Sequence, residues 1–103
     1  MNTYNLIIEP IAQNDMDIIG EYIAKDNPKA AVKLLKKIYN IFETICSHPN
    51  IGFQKEDFKY KNVRFYKVKK HYLIVYNTDK DNVNILRVLS SYQDIIDKIW
   101  FYR

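Results

Sequence analysis

The junction "DNPKAA" at residues 26–31 constrains this chain most. It sits between two apolar patterns of helical period and is too short to let them travel apart. Before it, Pro10 stands where a helix can start without losing a paired amide. Ile11, Ile18, Ile19, Tyr22 and Ile23 then recur at helical spacing, with Asp15 among them, which predicts an amphipathic helix over 11–25. After it, Asn27 suits an N-cap and Pro28 the first turn. Ala31, Leu34, Leu35, Ile38, Ile41, Phe42 and Ile45 form one stripe to about residue 47, while Lys29, Lys33, Lys36 and Lys37 fall on the wet side. Two helices so joined must fold back as an antiparallel hairpin.

A hairpin with one apolar face needs a second layer, and the remaining sequence supplies strands. "TYNLIIE" at 3–9 predicts a first strand before the helices. "SHPNIG" at 47–52 stops the second helix, and "FQKEDFKYK" at 53–61 has no clean period and reads as an exposed connection. Strands are then predicted over about 62–69, 71–77 and 82–90, the last two separated by the turn formers of "NTDKDN". Ile95, Ile96, Ile99 and Trp100 predict a short terminal helix. The expected fold is a single α+β domain over 1–103. It is a two-layer sandwich in which an N-terminal strand and an α-helical hairpin pack on an antiparallel meander of three further strands.

Composition narrows the function classes. The formal charge of +4 favours an anionic partner, such as nucleic acid, an acidic protein or a membrane surface. The lone Cys46 excludes an internal disulfide and a thiolate metal cluster, and its place beside Ile45 predicts a buried, inert thiol. His48 and His71 are far apart and no carboxylate cluster joins them, so neither metal nor cofactor is expected. "MNTYNLIIEP" lacks the features of a signal peptide and no segment is long enough to span a membrane, so a reduced cytosolic setting is expected.

The chemistry-bearing residues cluster in "VRFYKVKKHYLIVY", residues 63–76. Arg64 suits bidentate contact with a phosphate or target, or pairing with an acid such as Asp94 or Glu56. Lys67, Lys69 and Lys70 make either a basic edge for nucleic acid or an acidic partner, or a guard against edge-to-edge aggregation. His71 can titrate in a useful range for a general base, or serve as a polar turn residue. Tyr72 and Tyr76 share a face, for base stacking or for core packing. Arg87 in the last strand must reach solvent or a partner, and Tyr92 lies where the sheet gives way to the terminal helix. The charge-rich strands are expected to form the open face of a half-covered sheet.

Several segments, in this order, resemble the RelE/ParE family of bacterial type II toxins: "YIAKDNPKAA", "HPNIG", "NVRFYKV", "HYLIVY" and "VNILRVLSSYQD". The resemblance implies the two-layer fold and a cognate antitoxin protein, with a dimer or a hetero-oligomer with that antitoxin as the expected assembly. RelE-like members are ribosome-dependent endonucleases that cut messenger RNA, whereas ParE-like members poison DNA gyrase. RelE-type nucleases carry an arginine where this chain has Leu73, and a basic run where it has "SSYQD" with Ser91 and Gln93. A metal-free nuclease needs a group to activate the ribose hydroxyl and cations to stabilise the phosphorane. Here the substitutes would be Arg64, Lys69, His71 and Tyr92. Arg64, Arg87 within "ILRV", and Asp94 instead match ParE-like chains, while Ser90, Tyr92 and Gln93 depart from them. The resemblance therefore implies a gyrase-directed toxin, with an mRNA endonuclease or a non-toxic partner-binding member as alternatives.

Overall fold

The computed structural model describes residues 3–56, 58, 60 and 62–90. The order is β1 (Asn5–Ile8), α1 (Pro10–Ala24), α2 (Pro28–Ser47), β2 (Arg64–Val68), β3 (Tyr72–Asp79) and β4 (Asn82–Leu89). The strands form one sheet in the order β1-β4-β3-β2. β2, β3 and β4 are the expected antiparallel meander, and β1 adds to β4 in parallel, with Asn5 opposite Asn82 and Ile8 opposite Ile85. The predicted terminal helix lies outside the described residues.

Local chemistry explains the helical hairpin. Glu9 ends β1 by donating its N–H to the Ile85 carbonyl at 3.0 Å, and Pro10 opens α1 at once. Asn27 caps α2, its side-chain oxygen accepting the Ala30 N–H at 3.1 Å. Gly20 sits where the helices approach: a Cβ there would lie 3.0 Å from Leu35 Cδ1. α2 buries Ala31, Leu34, Ile38, Phe42 and Ile45, as its stripe predicts. The buried face of α1 is rotated from the expected one. It consists of Ala12, Met16, Ile19 and Gly20, leaving Ile11, Ile18 and Tyr22 exposed.

The sheet is apolar on both faces, which corrects the expectation of an open charged one. On the helix side, Val68, Ile74, Tyr76, Val83, Ile85 and Val88 pack against α1 and α2. On the far side, Val63, Phe65, Leu73, Val75, Leu86 and Leu89 form a second cluster with Phe58 and half-buried Tyr60. Phe58 is only 5 % exposed and Phe53 pairs with Phe65 through two backbone hydrogen bonds of 2.8 Å. Residues 53–56 of the segment after α2 are exposed as expected, but Phe58 and Tyr60 turn inward and cover part of the second face. The charge of residues 63–76 moves out accordingly: Lys69, Lys70 and His71 form the β2–β3 turn, with Lys69 in the left-handed region at φ 56°, and of that stretch's basic residues only Arg64 and Lys67 remain within a strand.

β4 carries one irregularity that matters for the site. Val75 pairs with Arg87 but Tyr76 pairs with Ile85, so Leu86 is an extra residue on β4. β1 reaches only to Ile85, and among the described residues no strand pairs with the rest of β4 on that side.

Candidate functional site

Three clusters of polar groups surround the core. The first holds the loop that follows α2. Tyr76 has no solvent exposure, and its hydroxyl accepts the Gly52 N–H at 2.9 Å and donates to the Pro49 carbonyl at 2.8 Å. Burial pushes its phenol pKa up, partly opposed by the Gly52 hydrogen bond and the nearby Arg64 charge. Arg64 opens β2 and donates from the same nitrogen to the Gly52 carbonyl at 2.7 Å and the Asn50 carbonyl at 3.4 Å. Backbone carbonyls, and not Glu56, are thus its partners, while Asp94 lies outside the described residues. Gly52 is required by proximity, because a Cβ there would come within 2.7 Å of the Tyr76 hydroxyl and 2.8 Å of the Phe65 carbonyl.

The second cluster is an ion pair across the layers. Arg87 donates from Nε to Asp15 Oδ2 at 2.8 Å and from a terminal nitrogen to Asp15 Oδ1 at 2.9 Å, a two-pronged contact. Asp15 also accepts the Val88 N–H at 3.0 Å, beyond the point where β1 stops pairing with β4. The hydrogen bonds to Asp15 hold the Arg87 pKa above its ordinary value, although burial opposes them. The partner that Arg87 needs is therefore within the chain.

The third cluster is the hairpin tip. Lys69, Lys70 and His71 are exposed there, and the His71 ring lies edge-on to half-buried Tyr72 at 6.4 Å. Arg64 sits at the other end of β2, about 16 Å away along the strand at ~3.3 Å per residue. The structure thus brings Lys69, Lys70 and His71 together and sets Arg64 and Arg87 apart from them. Lys67 is exposed on β2, and Tyr92 falls outside the described residues. Among the described residues no group of three His, Cys, Asp or Glu could hold a metal ion, and no helix is long and apolar enough to cross a membrane. Cys46 is buried, and burial first, then Glu43, raises its thiol pKa.

Asp15, Tyr76 and Gly52 do more than their sequence context announced. Asp15 had a signal: it is an acid set within an otherwise apolar helical stripe. Tyr76 and Gly52 had none, since their meeting depends on how the loop after α2 passes the middle of β3.

A family model for the ParE toxin of the type II toxin–antitoxin system parDE matches residues 6–95, nearly the whole chain. The chain belongs to the ParE toxin family. Solved structures share the ParE fold. The chain is 18 % identical, with a TM-score of 0.73, to a chain of the chromosomal ParDE toxin–antitoxin system from P. aeruginosa, covering 86 % of this chain and 97 % of that one. It is 17 % identical, with a TM-score of 0.60, to a chain of the RelBE2 toxin–antitoxin complex from Mycobacterium tuberculosis, covering 87 % and 93 % respectively. No curated protein matches it significantly. In ParE terms, the residues that carried the resemblance now have places: "HPNIG" is the loop held by Tyr76 and Arg64, and "ILRV" is the bulge with its ion pair.

Proposed function

We propose that this ParE-family chain inhibits growth by binding and poisoning DNA gyrase in the bacterial cytoplasm, and that a cognate antitoxin neutralises it in a hetero-oligomeric complex. The family match over residues 6–95 carries the toxin class, and both structural neighbours come from toxin–antitoxin systems. One observation favours binding over RNA cleavage: the two arginines are spent on internal contacts. Arg64 holds loop carbonyls and Arg87 holds Asp15, so neither stands beside His71 as a transition-state cation. Leu73, at the position where nucleases of the wider family have a cation, is buried in the second core cluster. The exposed cations Lys67, Lys69 and Lys70 then serve contact with target or antitoxin, together with Tyr92, while Arg64 and Arg87 shape the surface they border.

The test is pulse labelling in the first minutes after inducing the chain alone in bacteria. Thymidine incorporation should fall before amino-acid incorporation, and purified protein should trap gyrase on cleaved DNA. Earlier loss of protein synthesis would overturn the reading in favour of mRNA cleavage. Normal growth with soluble protein present would leave a non-toxic partner-binding protein instead. Co-expression of the reading frame adjacent to the gene should restore growth.

A further inference from the structure

We infer that the outer face of the α1–α2 hairpin, the side turned away from the sheet, is a contact surface for a second copy of this chain, with α1 of each copy laid on α2 of the other. Asn14, Asp17, Ile18 and Glu21 fall at i, i+3, i+4 and i+7 of α1, so they share one face, and all of them are exposed. Lys29, Val32, Lys33 and Lys36 repeat the same spacing on α2 and are likewise exposed. Each face holds an apolar residue more than half open to solvent, Ile18 at 56 % and Val32 at 55 %. Around them the signs differ: Asp17 and Glu21 make the α1 face acidic, and the lysines make the α2 face basic.

The charges select both the occupant and its orientation. Asp17 accepts a hydrogen bond from Gln13 Nε2 at 3.1 Å, and none of Asp17, Glu21, Lys29, Lys33 and Lys36 forms an ion pair with another described residue. Acid and base thus lie unpaired on neighbouring helices. The register of those helices is fixed by the Tyr39 hydroxyl, which donates to Gln13 Oε1 at 3.3 Å, and by Gly20 facing Leu35. It sets Asp17 and Glu21 level with the stretch Val32–Lys37. A two-fold axis parallel to the helices keeps these levels and lays α1 of one copy antiparallel on α2 of the other. Asp17 and Glu21 then meet Lys33 and Lys36 of the second copy, twice by symmetry, with Ile18 and Val32 brought together between them. An axis running across the helices would instead set acid on acid and lysine on lysine. These few residues a side, against about 20–30 in a standard interface, make the contact a weak and concentration-dependent one. The surface does not depend on the identity of the toxin's target.

Sedimentation equilibrium of the full chain, run over a concentration series at low salt, tests this. The chain should show a reversible monomer–dimer equilibrium that weakens as salt rises. Glu21→Lys and Lys36→Glu, at exposed positions that the core does not use, should each weaken the dimer about tenfold while the thermal transition by circular dichroism persists. The two variants mixed should associate more tightly than either alone, and the chain carrying both changes should regain the affinity of the wild type. Val32→Asp, on the same face, should also weaken the dimer and serves if either charge variant fails to fold. A chain that stays monomeric throughout overturns the inference. It is also overturned if the variants dimerise as the wild type does, which moves the contact to another face, or if neither mixing nor the double change restores affinity.

Discussion

The Tyr76 hydroxyl accepts the Gly52 N–H at 2.9 Å from a side chain with no solvent exposure, so one phenol ties the exit of α2 to β3. Tyr76→Phe keeps the ring and deletes this contact together with the bond to Pro49. Each backbone group left unpaired costs about 1–3 kcal/mol when buried. We expect a loss of roughly 2–4 kcal/mol in urea unfolding, with an unchanged slope. A loss below the error of the extrapolation would show that the loop holds without the phenol.

The same group sets a pH dependence. The Tyr76 pKa is raised by burial above its ordinary value of 10.0. Its contribution is complete below the unfolded-state pKa. As pH rises above that value the unfolded chain ionises first, so stability falls until the folded-state pKa is passed. The stability gap between wild type and Tyr76→Phe should therefore be constant near neutral pH and narrow above about pH 10. Parallel curves up to the alkaline limit would contradict this.

Asp15→Ala should cost more than its position on a helix suggests. It strips Arg87 of both hydrogen bonds and leaves the Val88 N–H without an acceptor. Breaking a buried pair costs about 3–5 kcal/mol, and the 15 % and 11 % exposure of the two side chains reduces that to roughly 2–3 kcal/mol. Asp15→Asn, which keeps an acceptor for Val88, should recover part of the loss. Urea titration of Asp15→Ala, Arg87→Ala and the variant carrying both, read as a double-mutant cycle, checks the coupling.

Helix boundaries were legible from the Asn27–Pro28 junction because capping and proline chemistry are local. The second core face was not. The segment 53–61 has no period since Phe53 and Phe58 pack singly, through one bridge and one buried ring, and periodicity detects only regular elements. The near-continuous apolar run "YLIVY" at 72–76 was the available sign, because a strand covered on both faces loses its alternation. Arg87 was correctly required to find a partner. Which partner depended on a bulge and on helix–sheet docking, neither of which leaves a mark between neighbouring residues.

Lys69 and Lys70 separate binding from folding. Both are exposed in the β2–β3 turn, so replacing both with serine should leave the thermal midpoint nearly unchanged. Affinity for the neutralising partner, or toxicity, should fall roughly tenfold at low salt and less at high salt. Arg64→Ala should instead lower stability as well, because Arg64 anchors the Gly52 carbonyl. Unaltered binding and toxicity in the double serine variant would remove the turn from the interaction surface.

The parallel pairing of β1 with β4 also governs how this protein is made. Residue 5 must wait for residue 82 before it has a neighbour, and Asp15 must wait for Arg87. Such distant closures make folding slow compared with a helical hairpin alone. A translation product halted before β4 lacks the central strand that joins both ends of the chain. Premature termination before β4 then yields a fragment whose sheet cannot close, because the strand that joins β1 to β3 arrives only with residues 82–89.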